Sequence, residues 1–280
     1  MKKHLLTSKE IKNFRNRLRD EEKSENTIEK YIRDVTAFTN FCVGTITKET
    51  VIAYKQQLID SGYAVRSINS MLASINSLFA FLGWDELRVK SLKVQQPVFC
   101  SEEKELTKAE YERLCRTAER NNNERLLLVL QTICGTGIRV SELQFITVEA
   151  VRRGEAVVSL KGKTRRVFLV RELKKRLLLY INKRNLTSGA VFVTRTGKPM
   201  SRTNIWREMK SLCIEAEVNP EKVFPHNLRH LFARVFYEIE KDIAKLADIL
   251  GHSSINTTRI YIISTGTEHR QRMEQMRLII

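Results

Sequence analysis

The sequence predicts a mainly α fold with a small β-sheet confined to the second of two domains. Apolar residues recur at three- and four-residue intervals from Thr7 to Leu82, and no proline interrupts them. One pair of β-rich runs surrounds a glycine-containing loop, Lys161-Gly162-Lys163-Thr164. Periodicity lapses between Val94 and Glu105, where Pro97 is the first of only four prolines. These observations divide the chain into a helical domain over residues 1–95, a linker over 96–105, and a mixed α/β domain over 106–280 that ends in a helical tail, 266–280. With 280 residues, 42% of them hydrophobic, the chain can bury two cores without disulfides or a structural metal.

Four helices are expected in the first domain. In the second of them Asn26 is placed to cap and Glu29 to reach back, and Ile28, Tyr31, Ile32, Val35 and Phe38 make one apolar stripe. Thr47 caps the third and Gly62 stops it, while Ile68, Leu72, Ile75, Phe79 and Leu82 stripe the fourth. The second domain opens with a helix capped by Thr107 and Glu110. The run from Glu124 to Cys134 is apolar almost all round, as a helix at a domain's centre should be, and Gly135-Thr136-Gly137 ends it. Ala156 to Leu160 and Arg166 to Val170 then form a hairpin with a cationic tip. Val191-Phe192-Val193 is a candidate third strand, and helices resume to the end.

A formal charge of +17, from 49 Lys and Arg against 32 Asp and Glu, makes nucleic acid the leading partner class. The excess is spread, with +5 on residues 1–95 and +12 on the rest, which suits a protein that touches its polyanion with both domains. Cys42, Cys100, Cys115, Cys134 and Cys213 are odd in number and lack C-x-x-C spacing, so neither a disulfide framework nor a zinc site is indicated, and a reducing cytoplasm is expected. No stretch approaches the ~18 apolar residues of a membrane span, and the N-terminus lacks the apolar run of a signal peptide.

The chemistry is concentrated in four strings. Gly135-Thr136-Gly137-Ile138-Arg139-Val140-Ser141-Glu142-Leu143 supplies an arginine after a glycine turn. His226-Asn227-Leu228-Arg229 places a histidine and an arginine one helical turn apart, on one face. Leu250-Gly251-His252 and Thr257-Thr258-Arg259-Ile260-Tyr261 follow. Cleaving a phosphodiester requires cations at the non-bridging oxygens, a nucleophile in line and a proton for the departing oxygen. Arg139 and Arg229 offer planar forks for the oxygens. Tyr261 is the candidate nucleophile, and because a tyrosine hydroxyl is a poor one at neutral pH, His226 is its candidate base. His252 could donate to a phosphate oxygen. Lys161 on the hairpin is the candidate general acid, with Lys163 its rival. Glu142, one turn beyond Arg139, could orient that arginine or the bound phosphate's other ligands. Taken singly, each residue has an ordinary structural explanation, and only their joint order points to a site.

That order, carried by GTGIRVSEL, LKGKTRRVFL, FPHNLRHLFA and ILGHSSINTTRIY, resembles the tyrosine recombinase (phage integrase) family over roughly residues 105–265. The helical N-terminal segment resembles the family's core-binding (SAM-like) DNA-binding domain by pattern only. The resemblance gives Arg139, Lys161, His226, Arg229, His252 and Tyr261 the catalytic places, with Glu142 supporting them. Lys163, Arg165, Arg166 and Arg66 are expected DNA contacts. It further implies two domains clamping duplex DNA, a 3′-phosphotyrosyl intermediate, and a homotetramer acting on two sites through a Holliday junction without metal, ATP or other cofactor. The first helix begins by about Ser8, which favours a compact recombinase of the Xer or Cre kind, or a mobile-element integrase, over the phage lambda type. Accessory DNA-bending or partner recombinase proteins remain compatible. Met273, Met276, Ile279 and Ile280 give the tail an apolar face that packs either on its own domain or on a neighbouring protomer. Two other functions share these residues: a DNA-binding protein of the same fold that no longer cuts, and a monomeric type IB topoisomerase-like nicking-closing enzyme.

Overall fold

The computed structural model describes residues 4–42, 44–94, 102–160, 163–262, 270 and 273–276. It is mainly α and divides into two compact units, Met1–Gln96 and Pro97–Ile280. No helix among the described residues is long and apolar enough to cross a membrane.

The first unit holds α1 (Ser8–Asp20), α2 (Glu25–Phe41), α3 (Lys48–Asp60) and α4 (Val65–Leu82). Thr7 and Thr47 begin α1 and α3 with reciprocal caps to Glu10 and Thr50. The second helix begins at Glu25 behind Ser24, not at Asn26, because Ser24 and Thr27 bind each other's hydroxyls at 2.8 Å and no side chain caps the helix. Phe38, Leu72, Ile75 and Phe79 fill the core between α2 and α4. Beside it the buried Asp34 carboxylate accepts from Lys30 at 2.7 Å and Ser74 at 2.9 Å. The chain leaving α4 is strapped down by two asparagines. Asn76 binds both backbone groups of Val89, and Asn69 both of Leu92.

The second unit is built around α6 (Glu124–Thr136), whose residues Leu126 to Leu130 are buried without a break. α5 (Lys108–Arg120), α8 (Arg171–Lys183), α9 (Arg202–Ser211) and α10 (Pro225–Glu240) pack on it. α7 (Val148–Arg153) leads into a two-stranded antiparallel sheet, β1 (Glu155–Leu160) and β2 (Lys163–Phe168), with Val158 opposite Arg165. β2 thus starts earlier than the sequence suggests, and Lys161 and Gly162 at the tip lie outside the described residues. The expected third strand is absent among the described residues. Val191 donates to the Ile146 carbonyl, while Thr194 and Lys198 close a local turn, leaving one isolated bridge from Val193 to Pro199. Such a short apolar run is buried by the core rather than by a strand partner. α11 (Ile243–Leu250) and α12 (Ile255–Arg259) complete the unit.

Candidate active site

The site forms where three chain reversals meet. α6 ends at Gly137, whose φ of +64° a side chain would strain, and a Cβ there would lie 2.5 Å from the Phe232 ring. α10 therefore approaches the turn closely, and Arg139 emerges directly beyond it. Glu142 folds back to accept the Arg139 amide at 2.8 Å and its Nη1 at 3.0 Å. α10 begins at Pro225, which suits a first helical position, and it presents His226 and Arg229 on one face. α11 ends at Gly251, also with a φ of +64°, followed at once by His252. The short α12 then delivers Tyr261.

Arg139, His226 and Arg229 line one cavity of about 420 Å³, which Arg202 and Trp206 of α9 also border. Arg229 is only 2% exposed. Its guanidinium donates to the Gly137 and Leu250 carbonyls and meets His252 Nε2 at 2.9 Å, but its Nε has no partner. Burial, then the charge of Arg139, lowers its pKa to about 10, so it stays a cation at neutral pH. Tyr261 is buried, its hydroxyl 3.5 Å from His226 Nε2 and its ring against those of His226, His230 and His252 at centroid distances of 5.4, 4.2 and 5.3 Å. Burial and the neighbouring cations push His226 and His252 down to about 4, so both are neutral at pH 7.

The Glu142 carboxylate is buried (1% exposed) and binds a second arginine: Arg165 donates to it through both Nη atoms at 2.9 and 2.7 Å. Arg165 Nε donates to the Ile249 carbonyl, so this residue joins β2 to the end of α11. Burial alone would raise the Glu142 carboxyl, but Arg165 and the Arg139 amide outweigh it and hold it at about 2.

The structure brings together Arg139, Glu142, His226, Arg229, His252 and Tyr261. Lys161 lies outside the described residues, as does the side chain of Lys163. Arg166 is exposed on β2 near Glu155, and Arg66 is exposed in the first turn of α4, in the other unit. In the tail, Met273 and Met276 are exposed, while Ile279 and Ile280 lie outside the described residues. Three contributors carry no role in the sequence reading: His230 on the Tyr261 ring, Glu105 3.6 Å from His230, and Thr258 2.9 Å from His252 Nδ1. Helical spacing from His226 to His230 carries a signal for the first; nothing local marks Glu105.

A buried tyrosine beside neutral imidazoles and arginine cations, on a mostly helical chain, is suited to phosphoryl transfer and fits the resemblance to the tyrosine recombinases. Comparison with known proteins agrees. The chain belongs to the phage integrase family, whose model matches residues 104–268, and the family's N-terminal SAM-like domain matches residues 11–86. Tyrosine recombinase XerA of Thermococcus kodakarensis is 30% identical, over 96% of this chain and 95% of that protein. Tyrosine recombinase XerA of Pyrococcus furiosus is 28% identical, over 100% and 98%. A solved lambda integrase(75-356) dimer bound to a COC' core site shares the fold, with a TM-score of 0.76 at 18% identity over 94% of this chain and 97% of that one. The protein is a site-specific recombinase of the tyrosine type, which favours neither the silent DNA binder nor the nicking-closing enzyme.

Proposed function

We propose that the protein binds a double-stranded recombination site and that Tyr261 attacks the scissile phosphate, forming a 3′-phosphotyrosyl bond and freeing a 5′-hydroxyl. The observation that carries this reading is Arg229, which lines the cavity that Arg139 and His226 share and whose buried Nε has no partner. A buried donor without a partner costs about 1–3 kcal/mol, and a phosphate oxygen would satisfy it. Arg139 supplies the second fork, with Glu142 orienting it. His226 Nε2 accepts the phenolic proton as the tyrosine oxygen bonds to phosphorus. Lys161, or its rival Lys163, protonates the departing 5′-oxygen, and His252 supports a non-bridging oxygen.

The 5′-hydroxyl of a partner strand then reverses the chemistry, and the phosphotyrosine retains the energy of the broken bond, so the exchange calls for no metal or ATP. Four protomers on two sites would pass through a Holliday junction. The tail over 266–280 would dock on a neighbouring protomer, a role suited to the exposed Met273 and Met276. Residues 1–95 and 106–280 would grip the duplex from two domains joined by the linker over 96–105, with Arg66, Lys163 and Arg166 near its backbone. The net +17 draws the duplex in and makes binding weaken with salt. The free thiols of Cys42, Cys115, Cys134 and Cys213 suit a reducing cytoplasm.

The test is a nicked suicide duplex carrying the native element's end or chromosomal junction, resolved on a denaturing gel. Wild type should give a covalent band, and Tyr261→Phe should bind equally but give none. Cleavage by the variant would move the nucleophile elsewhere.

A further inference from the structure

We propose that Thr258 is a positioning residue: its hydroxyl fixes the proton of His252 on Nδ1 and so holds Arg229 in its seat. The argument is one of donors and acceptors. A guanidinium has no lone pair to offer, so where Arg229 Nη2 meets His252 Nε2 at 2.9 Å the imidazole nitrogen must accept. The single N–H of the neutral ring is then on Nδ1, which lies 2.9 Å from Thr258 Oγ1. Because Nδ1 donates, the Thr258 hydroxyl is the acceptor, and at 0% exposure no bulk water takes its place. In the opposite tautomer an Nε2–H would face an Nη2–H, donor against donor beside a fixed cation. Arg229 would lose one of the contacts that aim it, keeping only the Gly137 and Leu250 carbonyls.

The inference deepens the proposed reaction, since it rests on Arg229 as a phosphate ligand. In the resting site His252 is an acceptor, and it supports the non-bridging oxygen through the Arg229 guanidinium it holds. Thr258 also lies one turn before the nucleophile, and its carbonyl accepts the Tyr261 amide at 2.9 Å. One short helix therefore seats the tyrosine and sets the imidazole that anchors Arg229. A protomer whose α12 leaves its place loses both at once.

The experiment uses the full-length protein with Thr258→Val, which keeps the shape and removes the hydroxyl, and Thr258→Ser, which restores it. Long-range nitrogen NMR reads the His252 tautomer directly, with the signal assigned by its absence in His252→Asn. Wild type and Thr258→Ser should show Nδ1–H, and Thr258→Val should lose that signature. Cleavage of the suicide duplex by Thr258→Val should slow about tenfold at unchanged DNA affinity, the size of one unmade buried hydrogen bond. An Nε2–H tautomer in wild type overturns the proposal without any variant. So does a Thr258→Val protein that keeps Nδ1–H, or a Thr258→Ser protein that cleaves as slowly as Thr258→Val. The NMR result is independent of turnover: a tautomer shift in Thr258→Val with no covalent product from wild type would support the role of Thr258 and count against the recombination reading alone.

Discussion

Replacing Glu142 by glutamine keeps the side chain's shape and removes the charge on which two arginines converge. The carboxylate is 1% exposed and accepts from Arg165 at 2.7 and 2.9 Å and from the Arg139 amide and Nη1 at 2.8 and 3.0 Å. In Glu142→Gln the amide nitrogen must face one of these donors. Removing one partner of a buried pair costs about 3–5 kcal/mol. The Arg165 side chain is 15% exposed and that of Arg139 40%, so water screens the Arg139 half. The lower end, roughly 3 kcal/mol, is therefore expected, and for a unit of this size it lowers the melting temperature by about 6–12 °C. Differential scanning calorimetry at pH 7.5 measures the shift in the transition of the second unit. The sign of the pH dependence adds a second check. The folded pKa of about 2 lies below that of an unfolded carboxyl, so the stabilisation is present above the unfolded value and fades as pH falls toward 2. The gap between wild type and variant should narrow as pH drops below about 4. A melting difference below about 1 °C at pH 7.5, or a gap that widens in acid, would refute the argument.

Gly137→Ala places a Cβ 2.5 Å from Phe232 and 3.0 Å from Leu250 at a φ of +64°, and overpacking with left-handed strain should destabilise the second unit by about 2–4 kcal/mol in urea titrations. Arg229→Lys keeps a charge but loses the fork, and covalent complex formation should fall about 10²–10³-fold with DNA affinity nearly unchanged. Lys161→Ala should cleave poorly and be rescued by a duplex whose leaving 5′-oxygen is sulfur; failure of that rescue transfers the acid role to Lys163 or His252. For His226 and His252, folded values of about 4 lie below the usual imidazole range. The unfolded chain thus binds more protons between the two, and stability contributed above the unfolded value is lost as pH falls through that window. Suicide-duplex cleavage should accordingly hold from pH 7 to about 5 and fall toward 4, whereas a midpoint near 6.5 would assign the imidazoles ordinary values.

The helices were legible where a capping residue marks the start, as at Thr47 and at Thr107 with Glu110. The start of α2 was not, because Ser24 and Asn26 are equally good caps by type, and Ser24 holds the cap position without a side-chain cap bond. The segment from Val191 to Val193 was misread because an apolar triplet is marked as buried, not as paired. In the site, Arg139, His226, Arg229, His252 and Tyr261 stand in short motifs, so their spacing could be read. The role of Arg165 could not. It depends on Glu142, 23 residues away, and on a carbonyl 84 residues away, contacts that no periodicity records. Thr258 escaped for a related reason: a threonine three residues before a tyrosine acquires meaning only when α11 brings His252 against it.

The charges of the resting site fit the proposed reaction. Arg139, Arg165 and Arg229 against Glu142 leave two positive charges, Arg202 on the same cavity adds a third, and His226 and His252 add none at neutral pH. A phosphodiester carries one negative charge, and its five-coordinate transition state carries two. In the proposed reaction this excess of positive charge stabilises the doubly charged transition state more than the singly charged substrate, which is the condition for accelerating the step rather than merely holding DNA. Neutral imidazoles serve this balance twice. Protonated, they would overcharge the pocket and bind the ground state harder, and His226 would have no lone pair to receive the tyrosine's proton. The cations that line the pocket, together with burial, are what keep them neutral. Arg229 fits the same logic. Two carbonyls and an imidazole hold it without neutralising it, so its charge stays available until a phosphate arrives.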